Sequence, residues 1–144
     1  MIEGANFAFK NKLRRQEDDI YKIMKAVEII EKKLEIKDIE LPVLKDNEVL
    51  IKVKAAGLNR ADIAQKNGLY PPPAGESEIL GLECSGIIES IGKNVSSKKP
   101  GDEVIALLAG GGYAEYVTCP ENLAIPKPPK LSWAEGASIP EVYA

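Results

Sequence analysis

The sequence predicts a mainly β domain with short helices, its strands curled into a partly open barrel with the helices at its mouth. Short segments with period-two alternation recur along the chain, separated by turns rich in Gly, Pro, Asn and Asp. Helix-start signals are few, the clearest being at Asn59 and Ser132. The 144 residues, 44% hydrophobic and 28% charged, suffice for one globular domain with a real core.

Residues 1–22, MIEGANFAFKNKLRRQEDDIYK, carry no such period, because Phe7, Leu13 and Ile20 are too sparse to make an apolar stripe. Glu17, Asp18 and Asp19 argue against a transit peptide, and no apolar core marks a signal peptide. This stretch is expected to be an extension, disordered or partly helical, with the domain proper running over 23–144.

MKAVEII and LEIKDIEL read as two strands joined by the charged turn from Glu31 to Lys33, with Pro42 closing the second. After a turn at Asp46 and Asn47 comes EVLIKVKAAG, where Val49, Ile51 and Val53 alternate with Leu50, Lys52 and Lys54. One face is expected buried and the other wet. Gly57 then permits a sharp turn.

Asn59 stands where a helix N-cap belongs, RADIAQKN is the short helix, and Gly68 takes the C′ place. Tyr70 follows on the stiff Pro71-Pro72-Pro73 segment. On local grounds that tyrosine packs over the proline loop with its hydroxyl tipped into solvent.

ECSGIIESIG is a strand whose internal glycine implies a bulge or a close backbone approach. DEVIALL is the next strand, Gly110 to Gly112 read as a flexible hinge, and YAEYVTC is another strand that includes Tyr113 and Tyr116. LAIPKPP must be extended, and Ser132-x-x-Glu135 is a capping box opening a final short helix on which Trp133 packs against the barrel.

Composition excludes several functions. A formal charge of −3 with scattered Lys and Arg offers no footprint for nucleic acid. No apolar run approaches the roughly 20 residues of a membrane span. Cys84 and Cys119, in an acidic chain without a secretory signal, read as free, partly buried thiols of a reducing, cytoplasmic compartment. There is no histidine, which removes the commonest general base and metal ligand.

LNRADIAQKNGLYPPP, ILGLECSGIIESIG, GDEVIALLAGGGYAEYV and LSWAEGASIPE, taken in order, resemble the N-terminal catalytic domain of zinc-free, NADPH-dependent quinone oxidoreductases. These form the zeta-crystallin-like branch of the medium-chain dehydrogenase/reductase superfamily. The resemblance runs from about Met24 to the last residue and implies a GroES-like fold. It also implies that Tyr70, in a G-x-Y-x-P-P context, orients or protonates the acceptor's oxygen and contacts the cofactor, and that Asn59 contacts the nicotinamide or substrate in addition to capping its helix.

Zinc-dependent members of that superfamily carry a cysteine and a histidine where this chain has Asn59 and Leu82, so the resemblance implies no metal. Glu83 is then expected to hydrogen-bond the domain's own backbone. Arg60 and Asp62 read as a solvated face or local pairing. Without a Lewis acid the chemistry points to acceptors that are already electrophilic, a quinone or another conjugated carbonyl, with hydride supplied by NADPH.

No G-x-G-x-x-G follows a strand and opens a helix; the three-glycine run lacks the spacing of that fingerprint. In the resembled family the Rossmann domain comes directly after the segment ending here at Ala144. The chain is therefore expected to be a fragment lacking that domain, inactive and monomeric alone, whereas its parent is a homodimer. An enoyl reductase of the same superfamily and a stand-alone GroES-like binding module are the alternatives.

Overall fold

In a computed structural model the structure describes residues 22–143. The expectation for the N-terminal extension falls on residues that lie, apart from Lys22, outside the described ones. The elements are β1 (Ile23–Ile30), β2 (Lys33–Glu40), β3 (Glu48–Ala56), α1 (Arg60–Lys66), β4 (Glu83–Ile91), β5 (Glu103–Leu107), β6 (Tyr116–Pro120), a 3-10 turn (Glu121–Leu123), β7 (Ala124–Pro126) and α2 (Trp133–Ala137). The strands dominate and every pairing among them is antiparallel.

β1 and β2 form a two-stranded hairpin turned at Glu31 and Lys32, both with positive φ. The other strands make one sheet in the order β6-β3-β4-β5-β7. The hairpin closes part of the remaining gap: Val27 N–H donates to Tyr113 O at 2.8 Å and Glu115 N–H to Lys25 O at 3.0 Å. The outcome is a half-closed barrel, curled around Val49, Ile51, Cys84, Ile88, Val104, Ala106, Val117 and Cys119.

Period two decides which side chains enter that core. Val49 and Ile51 are fully buried while Lys52 and Lys54 face solvent. Leu50, expected on the wet face, is buried as well. The outward side is partly roofed, because α2 packs across β3, β4 and β5. Its Ser132–Glu135 box forms in both directions: Ser132 N–H donates to Glu135 Oε2 at 2.8 Å, and Glu135 N–H to Ser132 Oγ at 3.2 Å. Trp133 O accepts from the Ser85 hydroxyl at 2.6 Å, and the Lys127 ammonium sits 4.9 Å over the Trp133 ring.

Gly86 carries both features its position implied. The β3–β4 register slips between Leu50 and Ile51 and again between Val53 and Ala55, and a Cβ at Gly86 would overlap Lys52 O. The Gly110 to Gly112 run departs from expectation. All three are buried, and a Cβ at Gly112 would lie 3.0 Å from Gly81 O. Gly112 N–H donates to Gly81 O at 3.0 Å and Tyr113 N–H to Leu80 O at 2.8 Å. Glycine is used there because two backbones touch, so the run is a packed turn and no hinge.

Candidate active site

The site is built where the end of β3, the start of β4 and the start of α1 converge. Gly57 N–H donates to Glu83 O at 3.2 Å, and the space a Cβ would need at Gly57 is filled by the Glu83 side chain. Glycine is required there for that reason, more than for the turn. Glu83 itself is 2% exposed. Its Oε1 accepts from Asn59 Nδ2 at 2.9 Å and its Oε2 from the backbone N–H of Glu141 at 2.8 Å. The expected bond to the domain's own backbone is present, and Asn59 is an addition to it.

Asn59 has the extended backbone of an N-cap, and its N–H donates to Asp62 Oδ2 at 2.8 Å. The return half of the capping box is loose. Asn59 Oδ1 faces the Asp62 N–H without closing a strict hydrogen bond, because that N–H donates to the Asn59 backbone O at 3.1 Å and the side-chain amide is turned to Glu83. Asn59 is half-buried and held at two points.

Asp62 pairs locally, with the Asn59 N–H, but is no solvated face: it is buried, at 5% exposure, while Arg60 beside it is exposed. The reason is Tyr113, whose hydroxyl donates to Asp62 Oδ2 at 2.7 Å. Tyr113 is no strand residue but sits in the bend before β6. Burial, and then its bond to the Asp62 carboxylate, push its phenol well above the usual range. Among the described residues Asp62 Oδ1 is buried and accepts no hydrogen bond from the protein.

Glu141 is half-buried nearby, and its carboxyl is raised by desolvation first and then by Glu83 and Asp62. Among the described residues no group of three His, Cys, Asp or Glu side chains is arranged to hold a metal ion.

Tyr70 follows the other end of α1, which spans about 10 Å over Arg60–Lys66 at 1.5 Å per residue. α1 ends in a Schellman motif, with Gly68 N–H donating to Gln65 O and Leu69 N–H to Ala64 O, both at 2.9 Å, and Gly68 at φ +77°. Gln65 Nε2 donates to Glu78 O at 3.1 Å, which ties the helix to the far end of the proline loop. On that loop Tyr70 is 51% exposed. Hydrogen bonds thus bring Asn59 together with Glu83, Asp62 and Tyr113, whereas Tyr70 stands apart from them.

A cavity of about 490 Å³ lined by Met24, Ile39, Ile79, Leu107 and Val117, among others, includes none of these polar residues. A second, of about 440 Å³, lies against Gly68, Pro71 and Pro72. Neither contains the Asn59 cluster.

The geometry can be set beside known proteins. The chain is 37% identical over 102 residues to the synaptic vesicle membrane protein VAT-1 homolog of Danio rerio, covering 71% of this chain and 21% of that protein. It is 39% identical over 103 residues to the quinone oxidoreductase of Sus scrofa, covering 71% of this chain and 31% of that one. Among solved structures, the CurK enoyl reductase superposes with a TM-score of 0.71 at 29% identity over 81% of this chain and 39% of its own. The chain therefore spans between about a fifth and two fifths of the length of these relatives. Residues 45–129, from before β3 to beyond β7, match the alcohol dehydrogenase GroES-like domain, and the chain belongs to that family.

Proposed function

We propose that this chain is the acceptor-side domain of an NADPH-dependent reductase of quinones that works without zinc. The observation that carries the reading is Asn59, its side-chain amide held by Glu83 and its backbone N–H by Asp62, with a second Nδ2 hydrogen kept for a ligand.

The residues do not fit a zinc ion. Asn59 and Leu82 supply no thiolate or imidazole, and both Glu83 oxygens already accept hydrogen bonds. They do fit one wall of a nicotinamide site: the Asn59 donor is flanked by exposed Leu58 and, one turn along α1, exposed Ile63. Bound there, the nicotinamide supplies hydride to a conjugated carbonyl. Asn59 donates to an oxygen on the cofactor or acceptor, and Tyr70 orients or protonates the acceptor oxygen as charge grows on it. A quinone, already electrophilic, needs no Lewis acid for this.

In this reading residues 23–144 act with a dinucleotide-binding domain in a longer, homodimeric, cytoplasmic protein. The described residues contain no helix long and apolar enough to cross a membrane. A second reading, an enoyl reductase acting on a conjugated C=C, draws support from the likeness to CurK.

The test replaces the matching domain of the Sus scrofa quinone oxidoreductase with residues 23–144 and follows NADPH oxidation. Turnover with benzoquinone exceeding that with an enoyl thioester is expected, with none from the chain alone. A folded, NADPH-binding chimera active only on enoyl thioesters selects the second reading. One inactive on both classes makes the domain a binding module, and robust turnover by the chain alone overturns the idea that a second domain is needed.

A further inference from the structure

We propose that Glu83 is a positioning residue that sets the polarity of Asn59, so that Asn59 meets a ligand as a hydrogen-bond donor to a carbonyl oxygen; the ligand half of this rests on reading Asn59 as part of the acceptor site.

An amide side chain has two nearly isosteric orientations, one presenting oxygen and the other nitrogen, and only its partners choose between them. The Glu83 carboxylate accepts at both oxygens, from Asn59 Nδ2 and from Glu141 N–H. At 2.9 Å from Glu83 Oε1, a flipped Asn59 would place two acceptors in contact, so the nitrogen must face Glu83.

Glu83 has no freedom to adapt to the other orientation. Its Oε2 is engaged by Glu141 N–H at 2.8 Å, its stem fills the space left by the missing Cβ of Gly57, and only 2% of the residue is exposed. The backbone of Asn59 is pinned independently by Asp62 Oδ2 at 2.8 Å, and Tyr113 holds Asp62 in turn at 2.7 Å. With both rotation and flip excluded, one Nδ2 hydrogen is consumed by Glu83 and the other remains to be offered. That polarity suits the carbonyl oxygen of a quinone, an enoyl thioester or a carboxamide, and it disfavours a ligand that brings only donors, such as an ammonium group.

The test is a polarity swap on the ligand-free chain, which makes it independent of quinone turnover. Thermal midpoints at pH 7 are compared for wild type, Asn59→Asp, Glu83→Gln and the double variant. Asn59→Asp sets two carboxylates face to face and is expected to lower the midpoint by about 5 °C or more. The double variant restores a donor, now from Gln to Asp, and is expected to recover most of that loss. Side-chain amide spectra give the second readout. In wild type one Asn59 Nδ2 hydrogen is expected to exchange at least tenfold more slowly than those of exposed Asn67, a measurement that needs no variant to fold. A double variant no more stable than Asn59→Asp, or Asn59 hydrogens exchanging as fast as those of Asn67, overturns the proposal.

Discussion

Tyr113 and Asp62, 51 residues apart, are joined by a hydrogen bond of 2.7 Å from phenol to carboxylate. It fastens the buried glycine turn to the first turn of α1, and so to Asn59. Removing the hydroxyl by Tyr113→Phe leaves the Asp62 carboxylate with one donor, the Asn59 backbone N–H, in place of two and is expected to cost about 1–2 kcal/mol in urea unfolding. An unchanged midpoint counts against any anchoring role for Tyr113.

Tyr70→Phe has the opposite signature. With the side chain about half exposed, stability is expected to stay within roughly 0.5 kcal/mol of wild type. Quinone turnover of the chimera falls at least about 100-fold if the phenol handles a proton at the acceptor oxygen. Full activity would assign that proton elsewhere.

Two glycines with positive φ separate backbone strain from crowding. At Gly68, φ +77°, nothing lies within 4 Å of an added Cβ, so Gly68→Ala carries only the left-handed penalty of about 1–2 kcal/mol. At Gly81, φ +107°, the Cβ would sit 2.6 Å from Gly112 Cα and 2.7 Å from Tyr113 N. Gly81→Ala is expected to cost roughly 3 kcal/mol or more. Equal unfolding midpoints for the two variants would contradict the packing of the glycine turn.

Glu141 gives a pH dependence with a definite sign. Its carboxyl is raised in the folded state, by desolvation first and then by Glu83 and Asp62, so the folded chain holds that proton more tightly than the unfolded one. The associated stability is fully present below the ordinary carboxyl range and is lost as pH rises through the folded value. Glu141→Gln is therefore expected to raise the melting midpoint at pH 7, with the gap closing below about pH 4. The backbone N–H bonded to Glu83 survives the substitution. A gap that widens on acidification would reverse the assignment.

Cys84 and Cys119 are 0% and 3% exposed. Burial above all pushes the Cys119 thiol up to about 12 and the Cys84 thiol further still. Native chain is expected to be silent to a thiol-disulfide reagent at pH 8, with both thiols appearing in guanidinium. Rapid reaction of either in the native state would mean that the barrel opens.

What the sequence disclosed was local. The Ser132–Glu135 box, the Gly68 cap, the β1–β2 turn and the crowding at Gly86 each follow from residues within one turn or one strand, and each is found in the structure. What stayed hidden depends on closure of the barrel. Asp62 looked like a surface residue because the phenol that buries it comes from Tyr113, beyond two strands. Gly110 to Gly112 looked flexible because Gly81, which they touch, lies some thirty positions earlier. Asn59-x-x-Asp62 did contain a hint, since an acid at the third helical position can reach back to the cap. That pattern alone could not disclose Glu83 on the other side of the amide.

The shielding of Cys84 and Cys119 has a practical corollary. The sequence holds no further cysteine, so a thiol engineered in place of Tyr70 would take a fluorescent label alone, with both natural sulfurs left where they are. A dye on that proline-stiffened perch would register anything that settles on the loop after α1.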